Sequence, residues 1–405
     1  MATKHAPNSS SGEPHGLVAP GWEAVRDAFA ENFSAGRDVG AGVAVYHRGK
    51  PVVDLRGGHF DTSRTRSYDH DTLQLVFSTT KGVTAIAVGM CVDRGLLDYD
   101  ATVASYWPEF AAHDKGGITV AQLLSHQAGL ITVTPPFSLA EALDWGTVTA
   151  RLAGERPVWE PGTAHGYHAL TYGWLAGELV RRVDPKQRSL GRFVAEEICG
   201  PLGAEFWIGL PAEHEQRVSP MIPSAPPADP AIAEMMAQMM GPGTNAWRCL
   251  TLDGAFGDQS LGDGSTTAFN SREVHAAEVP AANGIGTAAA LARIYAATIA
   301  PVDGVSLLSD ATRNRARSTV TPENEPDACL VMPSTFGMGF MTTGFMSPYM
   351  GPGCYGHPGA GGSVAFASPE SEIAFAYVMN QMDNNLANDP RTVSLTDAIR
   401  SVLGA

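Results

Sequence analysis

The sequence predicts an α/β fold of the α+β kind, with one antiparallel sheet flanked by helices and a mainly helical region inserted between its two halves. Three observations carry this. Near the N-terminus, "GAGVAVYHRGKPVVDLRGG" holds two β-rich runs, Val43–Tyr46 and Val52–Leu55, too close together for anything but a hairpin. Near the C-terminus, "TFGMGFM", "SVAFASP" and "IAFAYVMN" are again strand-like. Between them, from about 131 to 282, the chain reads as helices broken by Pro and Gly. Consecutive strands without β-α-β alternation argue against a doubly wound parallel sheet.

The elements follow in order. "MATKHAPNSSSGEPHG", residues 1–16, is polar, has no apolar signal core behind Lys4, and reads as a flexible arm. Trp22, Val25, Phe29 and Phe33 share one side of a helix entered through Pro20-Gly21. In the hairpin link His47-Arg48-Gly49-Lys50, the glycine is placed for a positive φ. "LVFSTTKGVTAIAVGMCVDRG" passes from a strand-like Leu75–Phe77 into an apolar helix that Gly95 stops. "ITVAQLLSHQAGL" is a short helix with Thr119 as its N-cap. "TYGWLAGELVRRV" is helical, "IPSAPPADPAIAEMMAQMMGPG" is loop-rich, and "TAAALARIYAATI" is a helix capped by Thr287. A last helix lies near "LTDAIRSVLGA". The domain division is then 17–100 with 283–405 for the sheet, and 101–282 for the inserted helical domain.

Composition narrows the function. The 405 residues are 44% apolar, enough for a large core. The formal charge is −15, from 27 Lys+Arg against 42 Asp+Glu, and no basic run occurs, which argues against nucleic-acid binding. Apolar stretches such as Gly82–Val92 fall short of a membrane span, so a cytoplasmic location without membrane attachment is expected. Five dispersed cysteines, Cys91, Cys199, Cys249, Cys329 and Cys354, read as free thiols.

The chemistry centres on the first turn of the apolar helix. Ser78 and Lys81 are three apart, so Ser78 Oγ and Lys81 Nζ can meet on one helix face. A serine hydroxyl becomes a nucleophile when a base takes its proton, and a desolvated lysine has its pKa lowered toward that task. The helix N-terminus adds N–H groups suited to a developing oxyanion. Alone, S-x-x-K is a weak signal, because a lysine at a helix start can simply snorkel to water.

Context adds to it. "FSTTKGVTAIAVGMCVDRGLLDYDATVASYWPEF", "ITVAQLLSHQAGL", "WEPGTAHGYHALTYGWLAGELV", "EVPAANGIGTAAALARIYAA" and "YGHPGAGGSVAFASPE" follow one another over most of 39–380. In that order they resemble segments of the serine β-lactamase and penicillin-binding-protein superfamily, in particular its esterase branch, the family VIII carboxylesterases. The resemblance implies Ser78 as acylated nucleophile, Lys81 as general base and Tyr167 as the second-motif tyrosine, relaying a proton. Tyr172 is a rival, but the spacing after Pro161-Gly162-Thr163 favours Tyr167. Ala169 stands where the lactamases often carry an asparagine. The third motif, Lys-Thr-Gly in the lactamases, becomes His357-Pro358-Gly359, and no lysine follows Lys186. The family lysine helps to bind a substrate carboxylate. A largely neutral His357 is a weaker anion anchor, which favours uncharged esters. The resemblance also implies an oxyanion hole from the backbone N–H groups of Ser78 and of Ala360, with Gly361 the alternative second donor.

Other signals are set aside. No G-x-S-x-G occurs. His165 and His168 lack a companion ligand set, so no metal or other cofactor is expected. His126 reads as a residue holding a turn near the site. "GAFGDQSLGDGS" reads as a loop, and the methionines of "MMAQMMGPG" read as a soft helix in preference to an acyl pocket. Trp145 and Trp159 are candidate pocket walls. The expectation is a serine hydrolase that cleaves small carboxylic esters through an acyl-enzyme. The competing readings are an acyltransferase, a lactam or D-peptide hydrolase, and an inactive scaffold or binding protein.

Overall fold

The computed structural model describes residues 12–225, 227, 229–257, 268–384 and 387–404. Seven strands form the main sheet: β1 (His15–Val18), β2 (Gly40–His47), β3 (Lys50–Gly58), β8 (Met341–Thr342), β9 (Tyr355–Pro358), β10 (Val364–Ser368) and β11 (Ile373–Met379). Their order is β1-β3-β2-β11-β10-β9-β8, antiparallel throughout. The sheet is therefore closed at its centre by β2 against β11, with Val45 opposite Phe375. One half comes from each end of the chain.

β2 is buried along its length except at His47, and β11 along all of its length, so both faces of this central pair are covered. The helix Ala288–Ala296 packs on β2, β10 and β11, while Glu23–Ser34 packs on β3 and on the last helix, Pro390–Leu403. Thr287 caps the first of these, its hydroxyl accepting from Ala290 N at 3.1 Å. The hairpin turn takes φ 54° at Arg48 and 72° at Gly49, so both residues are left-handed where one was expected. This is the type I′ geometry whose twist matches the strands.

Several expectations shift. The arm drawn as 1–16 ends sooner, since His15 and Gly16 already pair with Arg56 and Leu55 at the sheet edge. Residues 1–11 lie outside the described residues, as does 258–265 of the "GAFGDQSLGDGS" loop. The expected strand "TFGMGFM" contributes only Met341 to β8. Gly339 interrupts it at φ 90°, where an added Cβ would fall 2.3 Å from the Tyr172 hydroxyl. A second sheet, absent from the sequence reading, has the order β5-β7-β4-β6. Its strands, β4 (Leu73–Leu75), β5 (Phe206–Trp207), β6 (Val218–Ser219) and β7 (Ile285–Gly286), are two or three residues long, too short for any periodicity to show.

The helix Thr80–Asp93 is apolar on every side and buried from Thr80 through Cys91. Such a helix needs cover all round. It packs against Thr171–Val183, which lies within 101–282, and against Asp310–Ala316 and β9. At Gly82 an added Cβ would lie 1.8 Å from the Tyr295 hydroxyl, so only glycine lets that ring approach. Among the described residues, no helix is long and apolar enough to cross a membrane.

Candidate active site

β4 runs directly into a 3₁₀ turn, Phe77–Thr79, that opens the buried helix. Phe77 takes φ 44°, a costly conformation for a bulky residue, and its ring packs edge-on against Phe269. The turn is tied down on two sides. Thr80 Oγ1 donates to Phe77 O at 2.5 Å and accepts from Gly284 N at 2.8 Å. Ser363, beside the third motif, donates its hydroxyl to Val76 O at 2.8 Å and lies 3.2 Å from Thr79 Oγ1. Ser78, at the top of this turn, is partly exposed.

Lys81 has no exposed surface. Its Nζ lies 3.0 Å from Ser78 Oγ, 2.7 Å from Ala169 O and 3.0 Å from Ala281 O. Burial holds its pKa well below the ordinary lysine value. The three neighbours fit a neutral amine, with two N–H groups donated to the two carbonyls and a lone pair left facing the serine hydroxyl.

Tyr167 is buried, and Lys81 Nζ sits 4.7 Å from the centre of its ring. Burial raises its pKa, and a hydrogen bond with Ser78 pulls the other way. The ring is stacked between Phe336 at 6.1 Å and His357 at 5.8 Å, and its backbone N–H donates to Asp327 Oδ1 at 2.9 Å. Tyr172 is directed elsewhere, its hydroxyl facing Gly339 O at 3.4 Å. Of the two tyrosines, the structure brings Tyr167 to Ser78.

His126 lies beneath this arrangement at φ 62°. Its Nδ1 accepts from His168 N at 3.0 Å, and its ring packs 5.2 Å from that of Tyr167. It supports the second-motif segment without reaching Ser78. His168 accepts from Leu130 N at 2.9 Å and donates from Nδ1 to Gly166 O at 2.7 Å, while His165 Nε2 is 3.1 Å from Ser334 O. Those ring nitrogens hold backbone.

His357 closes the site from β9. Its Nδ1 must donate to Pro358 O, 2.7 Å away, which leaves Nε2 as a buried acceptor without a partner among the described residues. Burial, and the nearby Lys81, hold its pKa down at about 3, so the ring is neutral. At Gly359 an added Cβ would meet Ser363 Oγ at 2.2 Å and Val76 O at 2.3 Å, which explains the glycine. Ala360 is exposed, and with Gly359 and Gly361 it lines the same cavity as Ser78, Tyr167 and His357.

That cavity has a volume of ≈ 180 Å³. Five methionines line it, Met236, Met240, Met341, Met346 and Met382, together with Leu250 and Leu330. Met236 and Met240 belong to the helix Pro230–Met240, none of whose residues is buried. The soft-helix expectation for "MMAQMM" is therefore half of the answer, because the helix forms and two of its methionines also face the cavity. The i, i+4 spacing was the available signal. The tryptophan walls need correcting too. Trp145 donates to Glu178 Oε2 at 2.9 Å, Trp159 packs edge-on against His168, and neither lines this cavity. The methionine and leucine walls come from segments far apart in the chain, so no local pattern marks them as one lining.

Comparison with known proteins agrees with this geometry. The beta-lactamase family model matches residues 26–398. A Mycobacterium tuberculosis protein named Esterase/beta-lactamase LipL is 35% identical over 383 residues, 91% of this chain and 83% of that one. The crystal structure of a family VIII carboxylesterase superimposes with a TM-score of 0.83 at 38% identity, covering 96% of this chain and 100% of the other. A penicillin-binding protein homolog from Caulobacter crescentus gives 0.81 at 38% identity, covering 96% and 99%. With the match running across nearly the whole sheet and both sides of the cleft, the chain belongs to the beta-lactamase family.

Proposed function

We propose that this protein is a serine carboxylesterase working through an acyl-enzyme on Ser78. The observation that carries the reading is Lys81, fully buried, with its Nζ 3.0 Å from Ser78 Oγ and its two remaining neighbours backbone carbonyls. Lys81 accepts the hydroxyl proton as Ser78 attacks the ester carbon. The oxyanion that forms is met by the backbone N–H groups of Ser78 and Ala360. Tyr167, beside both Ser78 and Lys81, passes a proton to the departing alcohol. Water then attacks the acyl carbon by the same route in reverse and releases the acid.

The relatives' names support ester cleavage as the reaction class. The cavity supports uncharged substrates, since among the described residues its lining holds no lysine, no arginine and only a neutral histidine, and it includes Asp383. A penicillin-like carboxylate finds no cationic partner among those described residues.

The test is intact-protein mass after brief exposure to p-nitrophenyl butyrate, for wild type and Ser78→Ala. A butyryl adduct, with prompt p-nitrophenol release that Ser78→Ala abolishes, is the expected result. Equal behaviour of the two proteins would remove Ser78 from the mechanism. Adding methanol or an amine to the wild-type reaction and weighing the products separates hydrolysis from acyl transfer.

A further inference from the structure

The glycine turn that carries Ala360 rests on a buried guanidinium from the far end of the chain. Arg391, in the first turn of the Pro390–Leu403 helix, is 1% exposed. Its Nη2 donates to Gly361 O at 2.5 Å, and its Nη1 donates to Gln381 O at 2.7 Å. Both acceptors sit beside cavity wall, Gly361 in it directly and Gln381 next to Met382. Gly362 is so close above the guanidinium that an added Cβ would lie 2.2 Å from Nη2.

The guanidinium is itself held. Asp389 accepts from Nε at 3.0 and 3.1 Å and from Nη2 at 2.6 Å, while Asp38 Oδ1 accepts from Nη1 at 3.4 Å. Asp38 also accepts from the Tyr377 hydroxyl on β11 at 2.6 Å, and Asn32 Nδ2 donates to Arg391 O at 3.2 Å. One planar fork thus ties Asp389, Asp38 and, through Asp38, Tyr377 of the central sheet to two loops of the cleft, while the main-chain carbonyl of Arg391 is held by Asn32 of the first helix.

A backbone N–H acts on an oxyanion only where it already points at the reacting oxygen, because reorienting it during reaction forfeits the gain. The Ala360 N–H belongs to the peptide unit shared with Gly359, inside a turn of three glycines whose own conformational preference is weak. Within the turn, Gly362 N donates to Gly359 O and Gly359 N donates to Ser363 O. From outside, Gly361 O receives Arg391 Nη2 and Asp383 N. We propose that Arg391 is a positioning residue for the ester-cleaving site, fixing the Gly359–Gly362 turn so that the Ala360 amide faces the oxyanion. This rests on the acyl-enzyme reading above.

The experiment compares wild type, Arg391→Lys and Arg391→Ala with p-nitrophenyl butyrate as substrate and butylboronic acid as the tetrahedral mimic on Ser78. Arg391→Lys keeps a cation beside Asp389 and Asp38 but cannot serve both carbonyls in the fork geometry. The expected result is a kcat lowered about 10- to 100-fold with KM within about threefold. Boronate affinity should fall in step with kcat, since both depend on the aimed amide. Arg391→Ala should regain at least about tenfold in kcat on adding guanidinium chloride, and nothing with the same concentration of sodium chloride.

A wild-type kcat in Arg391→Lys would overturn the proposal. So would a lowered kcat with unchanged boronate affinity and no guanidinium rescue. If Arg391→Lys fails to fold, rescue of Arg391→Ala decides alone, and its absence counts against the role. Failure of the underlying reading looks different, because wild type itself would then form no acyl adduct on Ser78.

Discussion

Two lysines show how burial and partners decide what an ammonium group does. Lys115, like Lys81, has no exposed surface. Its Nζ donates to three carbonyls, Ala112 O at 2.7 Å, Ala153 O at 3.0 Å and Glu155 O at 2.5 Å. Three acceptors engage all three N–H groups, so the charged form is held in place even though burial draws its pKa down to about 8. Lys81 has two carbonyls and a hydroxyl, and the hydroxyl can give as well as take. The two sites therefore predict opposite outcomes for the same change. Lys81→Met should lower kcat for p-nitrophenyl butyrate by about 10³-fold or more while the protein stays folded. Lys115→Met should leave kcat unchanged and reduce stability by about 1–3 kcal/mol, because carbonyls lose their donor. Steady-state kinetics beside urea unfolding reads both. Equal losses of activity in the two variants would contradict this division of roles.

At the scale of an element, the helix Pro230–Met240 is a movable wall in sequence space. Asp229 caps it, accepting from Ala231 N at 2.9 Å, and Pro230 opens it. Met236 and Met240 face the cavity, while Ile232, Met235 and Met239 are exposed at 46%, 52% and 37%. Substitution on the inner face should thus change substrate choice with little effect on folding. Met240→Ala enlarges the acyl space, and a gained or lost methylene contact shifts discrimination by about 1–3 kcal/mol. The expected outcome is a roughly tenfold rise in kcat/KM for p-nitrophenyl octanoate relative to acetate. An unchanged ratio across the acyl series would mean that the acyl chain lies elsewhere. Methionine suits such a wall because its unbranched thioether adapts to chains of different shape. The same softness explains why the sequence understated it, since a methionine-rich helix looks alike whether it lines a pocket or merely fills space.

For the whole molecule, the buried imidazoles make stability depend on pH in a definite direction. His168 is held at about 4 and His357 at about 3, both chiefly by burial, and His126 is held well below its ordinary value by burial and by its neighbours His168 and Lys81. In the unfolded chain each titrates near the usual value of about 6.5. Below that value the unfolded chain binds protons that the folded one refuses, so stability falls as pH drops from about 6.5 toward 4. Asp38 works in the opposite sense, because burial raises it from 3.8 to about 6 and favours the folded state as pH drops through that window. Glu278, also raised by burial, acts with Asp38, while His47, lowered by burial and by Arg48, acts with the three imidazoles, so four histidines stand against two carboxyls. Urea midpoints measured at pH 7.5, 6 and 5 should therefore decrease in that order at constant slope. Midpoints that stay level or rise would show that the imidazoles take up protons without unfolding.

The architecture was legible where local pattern and global role coincide. The β2–β3 hairpin announces itself through alternating β-branched residues around Arg48-Gly49. The helices Glu23–Ser34 and Ala288–Ala296 announce themselves, the first through its apolar face and the second through its Thr287 cap, whereas of Pro390–Leu403 only the second half, near "LTDAIRSVLGA", was legible. Ser78 and Lys81 were legible as a pair because residues three apart share one helix face, and the ordered family-like segments around them made that pair stand out. Tyr167, His357 and Ala360 could be placed from the sequence only through family resemblance, because nothing in residues 167 or 357 says that they lie beside residue 78. Folding brings them there: β9 is the sixth strand of a sheet whose centre pairs β2 with β11, it packs against the Phe77–Thr79 turn, and Ser363, just before β10, bonds Val76 O ahead of that turn. The methionine cavity and the Arg391 fork belong to the same class. Their parts come from segments up to hundreds of residues apart, and contact between such segments is set by burial of the core as a whole. The sequence by itself determined the β2–β3 hairpin, the longer helices and the nearness of Ser78 and Lys81 within one turn of chain. The tertiary structure alone decided which methionines line the cavity, which carbonyls surround Lys81 and what holds the Gly359–Gly362 turn. Local periodicity carries no record of long-range neighbours.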